Sequence, residues 1–219
     1  MRGLIGLSLS CLILAPIADA GAASFTREGL TFSDELGGFR LVSVTGTGHL
    51  EDPFVVEEEI GGQGPAVLLI TGLRSDFGNR AGTQHLTGFA VVKRVRNLSN
   101  QVWRDFRMEL RETMEHASPY GDGLSFGQAA TGRTVDSGSF RQIRAIDEPF
   151  DGLAFDDGDV PPGATADFRF LITDETPARR ILLVQDLSPP SAALPPGRPW
   201  QGPVPWLRPM LAQRPEGAP

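Results

Sequence analysis

The densest group of side chains that could do chemistry is an acidic stretch ending at residue 159. Calcium prefers several hard oxygen ligands on a flexible loop, and glycines at 152 and 158 would permit tight turns there. The candidate ligands are Asp151, Asp156, Asp157 and Asp159. Their spacing does not follow the twelve-residue calcium loop. We therefore predict a solvated acidic loop and no resident cofactor, with a calcium site as the alternative.

A second candidate is Ser125, which lies in a G-x-S-x-G string at residues 123–127. In hydrolases this turn joins a buried strand to a helix, which holds the serine exposed and strained. Here turn residues precede the string, and the segment up to Gly132 is too short for a supporting helix. The three histidines share no metal-ligand spacing. We predict no catalytic residue and no enzyme, with a secreted hydrolase as the distant alternative.

The first twenty residues have the layout of a secretory signal peptide. Arg2 precedes an apolar run over residues 4–17, and small residues after it allow cleavage after Ala20 or Ala22. The run is shorter than the ~20 residues of a membrane-spanning helix. We expect export to the periplasm or the medium without a transmembrane anchor. Cleavage would remove the only cysteine, Cys11, so no disulfide could form and the exported domain must be stable through its core alone.

Charge narrows the choice of partners. The net charge of −7 argues against nucleic acid and anionic membrane surfaces. Lys93 is the only lysine, which we interpret as the composition of a GC-rich bacterial genome and not as a site. The run Glu57, Glu58 and Glu59 is interpreted as an exposed or edge position on a strand.

The elements that would carry these residues are short strands. Residues 165–173 alternate apolar and polar side chains, whereas Ala66–Thr71 and 181–187 are continuous apolar runs. Glycine-rich and proline-rich turns separate them. We predict one domain over residues 24–188. Its fold class is mainly β, an antiparallel immunoglobulin-like sandwich of about seven to nine strands with room for one short helix.

Residues 102–116 fit two interpretations. Phe106, Met108 and Leu110 alternate with polar residues as in a strand, but a stripe at helical spacing also runs from Trp103 to Met114. We favour a strand over residues 102–112, because residues 97–100 resemble a hairpin connection.

The C-terminal segment, residues 189–219, contains ten of the eighteen prolines and should be extended. We predict a mobile tail. The alternative is that the tail docks through its apolar side chains, with Trp200, Trp206 and Leu207 as the candidates.

A resemblance to a group of known proteins rests on three stretches of the chain, residues 89–110, 122–126 and 151–172. The first is similar to a "strand, polar turn, W-x-x-F" hairpin, and the last to a "hydrophobic, P-P-G, alternating strand" ending. Together they resemble exported bacterial proteins with immunoglobulin-like sandwich modules. The resemblance implies a sandwich and supplies no catalytic residues.

These observations favour an exported, non-enzymatic sandwich that binds an unknown protein or an envelope polysaccharide. The alternative is a structural or assembly subunit that docks through its proline-rich tail.

Overall fold

The computed structural model describes residues 21–187, except positions 63, 119, 128–134 and 147–149. Thirteen strands are formed by these residues. In chain order they are β1 (Ser24–Arg27), β2 (Leu30–Ser33), β3 (Arg40–Thr45), β4 (Phe54–Ile60), β5 (Ala66–Thr71), β6 (Thr87–Asn97), β7 (Phe106–Arg111), β8 (Leu124–Ser125), β9 (Asp136–Ser137), β10 (Phe140–Ile146), β11 (Gly152–Gly158), β12 (Thr165–Asp174) and β13 (Arg180–Asp186). Helical structure in the same residues is limited to two 3-10 turns, Ser75–Phe77 and Tyr120–Asp122.

The strands form two sheets. One has the order β1-β2-β5-β13-β7-β11-β10; the other has the order β3-β4-β6-β12-β8, with β9 also paired to β12. Among the described strands, β4 and β6 are the one pair that runs parallel. The predicted fold class, a mainly β antiparallel sandwich, is confirmed. The strand number exceeds seven to nine because β8 and β9 have two residues each and β1 and β2 have four, too few to show a periodic pattern in the sequence.

Aromatic side chains from the two sheets meet in the core. The Phe168 ring of β12 lies 4.6 Å from Phe106 on β7 and 4.7 Å from Phe155 on β11, between ring centroids. At the other end, Phe32 on β2 lies 5.2 Å from Phe54 on β4. All five side chains are buried. Their contacts across the sheets explain why the alternation in β12 was visible in the sequence: one face is apolar because it covers this core.

The ambiguous segment is a strand, as we favoured, although β7 is confined to Phe106–Arg111. The predicted hairpin before it is wrong. β6 pairs with β4 and β12, whereas β7 pairs with β11 and β13, so the chain crosses from one sheet to the other between them. The Asn97 amide holds this crossing by donating to the carbonyl oxygens of Gln101 at 2.8 Å and Val160 at 2.9 Å. The polar residues after β6 therefore form a connection between the two sheets and not a hairpin within one sheet.

Two predicted segments lie outside the described residues. They are the signal segment, residues 1–20, and the proline-rich tail with Trp200, Trp206 and Leu207. Within the ranges that are described, no helix has the length and apolar character needed to span a membrane.

Candidate functional site

A polar groove opens where the turn between β9 and β10 approaches the connection between β11 and β12. Its volume is about 550 Å³. The groove is lined by Ser137, Gly138, Ser139, Phe140, Arg141, Asp157, Asp159, Val160, Ala164 and Thr165. Phe140 and Val160 are buried, while the charged residues are exposed. The floor is thus apolar and the rim offers hydroxyls, two carboxylates and a guanidinium group.

One wall of the groove is held by backbone and hydroxyl hydrogen bonds. Strand β9 pairs with β12, so that Ser137 lies opposite Phe168. The Ser137 hydroxyl donates to the carbonyl oxygen of Asp167 at 2.7 Å, and the Asp167 N–H donates to the Ser139 hydroxyl at 3.2 Å. These bonds attach the turn to the long central strand, so the hydroxyls have defined positions.

The opposite wall depends on the close approach of β10 and β11. A Cβ added at Gly158 would lie 2.3 Å from a ring carbon of Phe140, so a larger residue there would displace the ring. The preceding residue, Asp157, has a left-handed backbone with φ of 60°, a conformation that costs energy for a residue other than glycine. Phe140 can therefore form the floor because position 158 is glycine.

The central ion pair of the groove joins Arg141 and Asp157. The guanidinium Nε and Nη2 each donate to one carboxylate oxygen, both at 2.8 Å. The hydrogen bond from Arg141 lowers the pKa of Asp157, and burial opposes this only in part. The same bond raises the pKa of Arg141. Both groups therefore stay ionised at neutral pH and can each contact a polar ligand through their exposed edges.

The structure brings two of the four predicted calcium candidates to the groove and separates the others. Asp157 and Asp159 line it. Asp156 instead contacts Arg144 at 3.0 Å and Arg107 at 3.8 Å. Asp151 is buried just before the start of β11. No three carboxylate, histidine or cysteine side chains of the described residues converge as a metal-binding group.

The Asp156 carboxylate also affects a neighbour. Partial burial, followed by the hydrogen bond and negative charge of Asp156, raises the pKa of Asp105.

Ser125 lies in β8 and is buried. Its hydroxyl and that of Thr173 on β12 share a hydrogen bond of 2.9 Å. Strand β8 follows a 3-10 turn and has two residues, in contrast to the long buried strand that enters a hydrolase nucleophile turn. The G-x-S-x-G string therefore serves as a strand end that is bonded to the central strand β12.

A buried polar cluster, made of Lys93, Glu58 and Gln185, escaped the sequence analysis. Lys93 and Glu58 have fully buried side chains, and the Lys93 Nζ contacts the Glu58 Oε1. Gln185, on the other sheet, donates from Nε2 to the Glu58 Oε2 at 3.0 Å. Burial lowers the pKa of Lys93, while the charge of Glu58 and its hydrogen bond to Lys93 oppose that shift. The cluster thus joins the two sheets through the core.

Two interpretations of the sequence are corrected by this cluster. Glu58 lies on the inward face of β4 with Val56 and Ile60, and β4 lies between β3 and β6, so Glu58 is neither exposed nor on an edge strand. The single lysine is a core residue of β6 and not a mark of composition alone. The burial of Lys93 could have been predicted from the sequence, because position 93 has the same parity as the core residues at 91 and 95.

The resemblance to exported immunoglobulin-like modules, based on short stretches, stays a prediction. Comparisons of the chain with protein-family models, with curated proteins and with solved structures gave no match.

Proposed function

We propose that this chain is an exported, non-enzymatic sandwich module that binds a polysaccharide of the cell envelope in its polar groove. The observation that carries the proposal is the lining: side-chain hydroxyls at 137, 139 and 165 stand beside an ionised guanidinium and two carboxylates. A polyhydroxylated ligand offers matching donors and acceptors along its length. The attached turn of β9 and β10 fixes these groups in advance, which reduces the entropy cost of binding.

A protein partner is the less favoured occupant of the groove. Protein interfaces concentrate their energy in aromatic and apolar anchors that enter pockets. The aromatic residue of the groove, Phe140, is buried in its floor. Large exposed apolar side chains elsewhere in the described residues are Val42, Leu50, Leu86, Leu98 and Val102, and none of them lines the groove. The lining therefore favours hydrogen bonding over apolar contact.

Export and the immunoglobulin-like connectivity belong to this proposal. The alternation of short strands and turns, together with the charged and apolar segments at the N-terminus, supports them. Expression of the full chain in a bacterium, with fractionation and N-terminal sequencing, tests export. Recovery in the periplasm or medium with an N-terminus near residue 21 or 23 is expected, and an intact cytoplasmic chain would contradict it.

Binding is tested by co-sedimentation with purified peptidoglycan and by calorimetry with soluble lipopolysaccharide-derived oligosaccharide, with dextran as the neutral control. Replacement of Arg141 by Ala removes the guanidinium donors that would contact the ligand and leaves Asp157 without its partner. The loss of a charge-assisted contact should weaken binding about 10-fold to 100-fold. Arg144→Ala is the matched control. Arg144 is also an exposed arginine on β10 that pairs with an aspartate of β11, but it lies outside the groove.

Equal binding by both variants, or no binding of either glycan by the unmodified chain, would reject the groove as a polysaccharide site.

A further inference from the structure

The contact between Lys93 and Glu58 is built from groups that have few other partners. Neither Nζ nor Oε1 has any further hydrogen-bond partner in the part of the chain that the structure describes. An ammonium group has three N–H donors, and here it meets one carboxylate oxygen and the ring of Phe39, whose centroid is 5.8 Å from Nζ. A buried ion pair is stable only when its remaining donors are satisfied. As an ion pair, this contact therefore leaves N–H donors of the ammonium group without acceptors among the described residues.

The neutral form of the same pair is chemically competent. Transfer of one proton from Nζ to the carboxylate gives an amine and a carboxylic acid, and full burial favours these uncharged species. A desolvated neutral lysine is a nucleophile towards carbonyl carbon. The Gln185 amide N–H, 3.0 Å from Oε2, is placed to stabilise negative charge that develops on that oxygen.

Strand register holds the reacting groups together. β4 and β6 are neighbouring parallel strands, with Val56 opposite Lys93 and Glu58 opposite Val95. Glu58 and Lys93 are therefore diagonal neighbours on the inward face, within reach of two long side chains. Large aromatic and aliphatic residues surround this face, among them Val56 and Ile60. The geometry keeps the pair in contact and excludes bulk water, which would otherwise favour hydrolysis.

We propose that Lys93 and Glu58 become joined by an intramolecular amide bond. Nζ attacks Cδ of Glu58 and forms the C–N bond, while Oε2, held by the Gln185 amide, becomes the amide carbonyl oxygen. The C–Oε1 bond breaks, and Oε1 leaves as water with the proton received from Nζ and a second proton lost from nitrogen. The reaction is a condensation that needs no oxidant or other reactant. It cross-links β4 to β6 inside the core.

The first test is the mass of the wild-type chain after denaturation, with its N-terminus determined. We expect a mass one water lower than that of the sequence. Trypsin should fail to cleave after the amidated lysine, and peptides 41–74 and 81–94 should be recovered as one linked species. Lys93→Arg, which keeps the positive charge but cannot form the amide, should have its full sequence mass and give separate peptides.

An independent test labels amines in denaturant. Because Lys93 is the only lysine, the linked chain should take up an amine reagent only at its N-terminal amino group. Neither measurement requires a variant to fold. A wild-type chain with its full mass and a labelled Lys93 would overturn the proposal. Loss of ammonia with a link from Lys93 to Gln185 would overturn it as well, because a different carbonyl carbon would then have reacted.

Discussion

The molecule contains two pairs of opposite charge in opposite surroundings. Arg141 and Asp157 form two hydrogen bonds at the rim of the groove, where their side chains are 80% and 44% exposed. Lys93 and Glu58 meet in the core with both side chains fully buried. In water the exposed pair gives little stability, because solvent and salt screen it. The buried pair has no such screening, so removal of one partner leaves an uncompensated charge.

The difference indicates a division of roles. Charges at the groove remain accessible to solvent, and under the proposed function they can exchange each other for a ligand. The core groups have no contact with solvent, and by our inference they react with each other. The position of Gln185 on the opposite sheet makes the cluster a link between the two sheets. Variants of each region should therefore separate binding from stability.

The largest effect is expected for Lys93→Met. The substitution removes the amine and with it the proposed link. The carboxylate of Glu58 would then stay buried with only the Gln185 amide as a partner, and the free energy of unfolding should fall by about 3–5 kcal/mol. Chemical denaturation measures this loss. The double variant Lys93→Met with Glu58→Leu removes the stranded carboxylate and should be more stable than the single variant. A double variant no more stable than Lys93→Met would contradict the assigned cause.

A smaller effect is expected for Gln185→Leu. It leaves the Glu58 Oε2 without its donor in the core, which should cost about 1–3 kcal/mol in the free energy of unfolding. Gln142→Leu on exposed β10 is the matched control, and it should leave stability near the wild-type value. If the two substitutions had the same effect, the hydrogen bond from Gln185 to Glu58 would not contribute to stability as predicted.

The smallest effect concerns pH and the exposed pair. The folded pKa of Asp157 is lowered, so the pair contributes stability above the pKa of an unfolded aspartate, about 3.9, and loses it as pH falls through the folded value. Denaturation of the wild type and of Asp157→Asn should therefore converge at acidic pH and differ slightly at neutral pH. If the difference in stability between the two proteins grew as the solution was acidified, the predicted direction of the Asp157 pKa shift would be contradicted.

The sequence predicted the layers of this fold better than its connections or its sites. The alternation in β12 was visible because one face is core. The strand β7 was predicted correctly, but from a hairpin connection that the structure does not form. The crossing after Asn97 was not visible, because polar turn residues look alike within one sheet and between two sheets. The groove could not be found either, since its lining comes from three separated segments and depends on β9, which has only two residues.

The buried cluster was missed in the sequence for a different reason. A run of three glutamates on β4 suggests exposure to solvent. Alternate residues of a strand face opposite sides, however, so the middle residue must point away from the other two. Parity alone would have placed Glu58 with Val56 in the core. Its partner on β6 follows from the same rule, because Lys93 alternates with exposed arginine at 94. At both positions the residue type indicates exposure, whereas the strand period indicates burial.

The burial of Lys93 has a practical consequence for handling the protein. Reagents directed at amines normally modify many scattered lysines and give mixed products. On this chain the single lysine side chain is buried, and the proposed amide bond would consume its amine, so such reagents have the terminal α-amino group as their target. Surface immobilisation or dye attachment through amines should consequently yield one defined orientation.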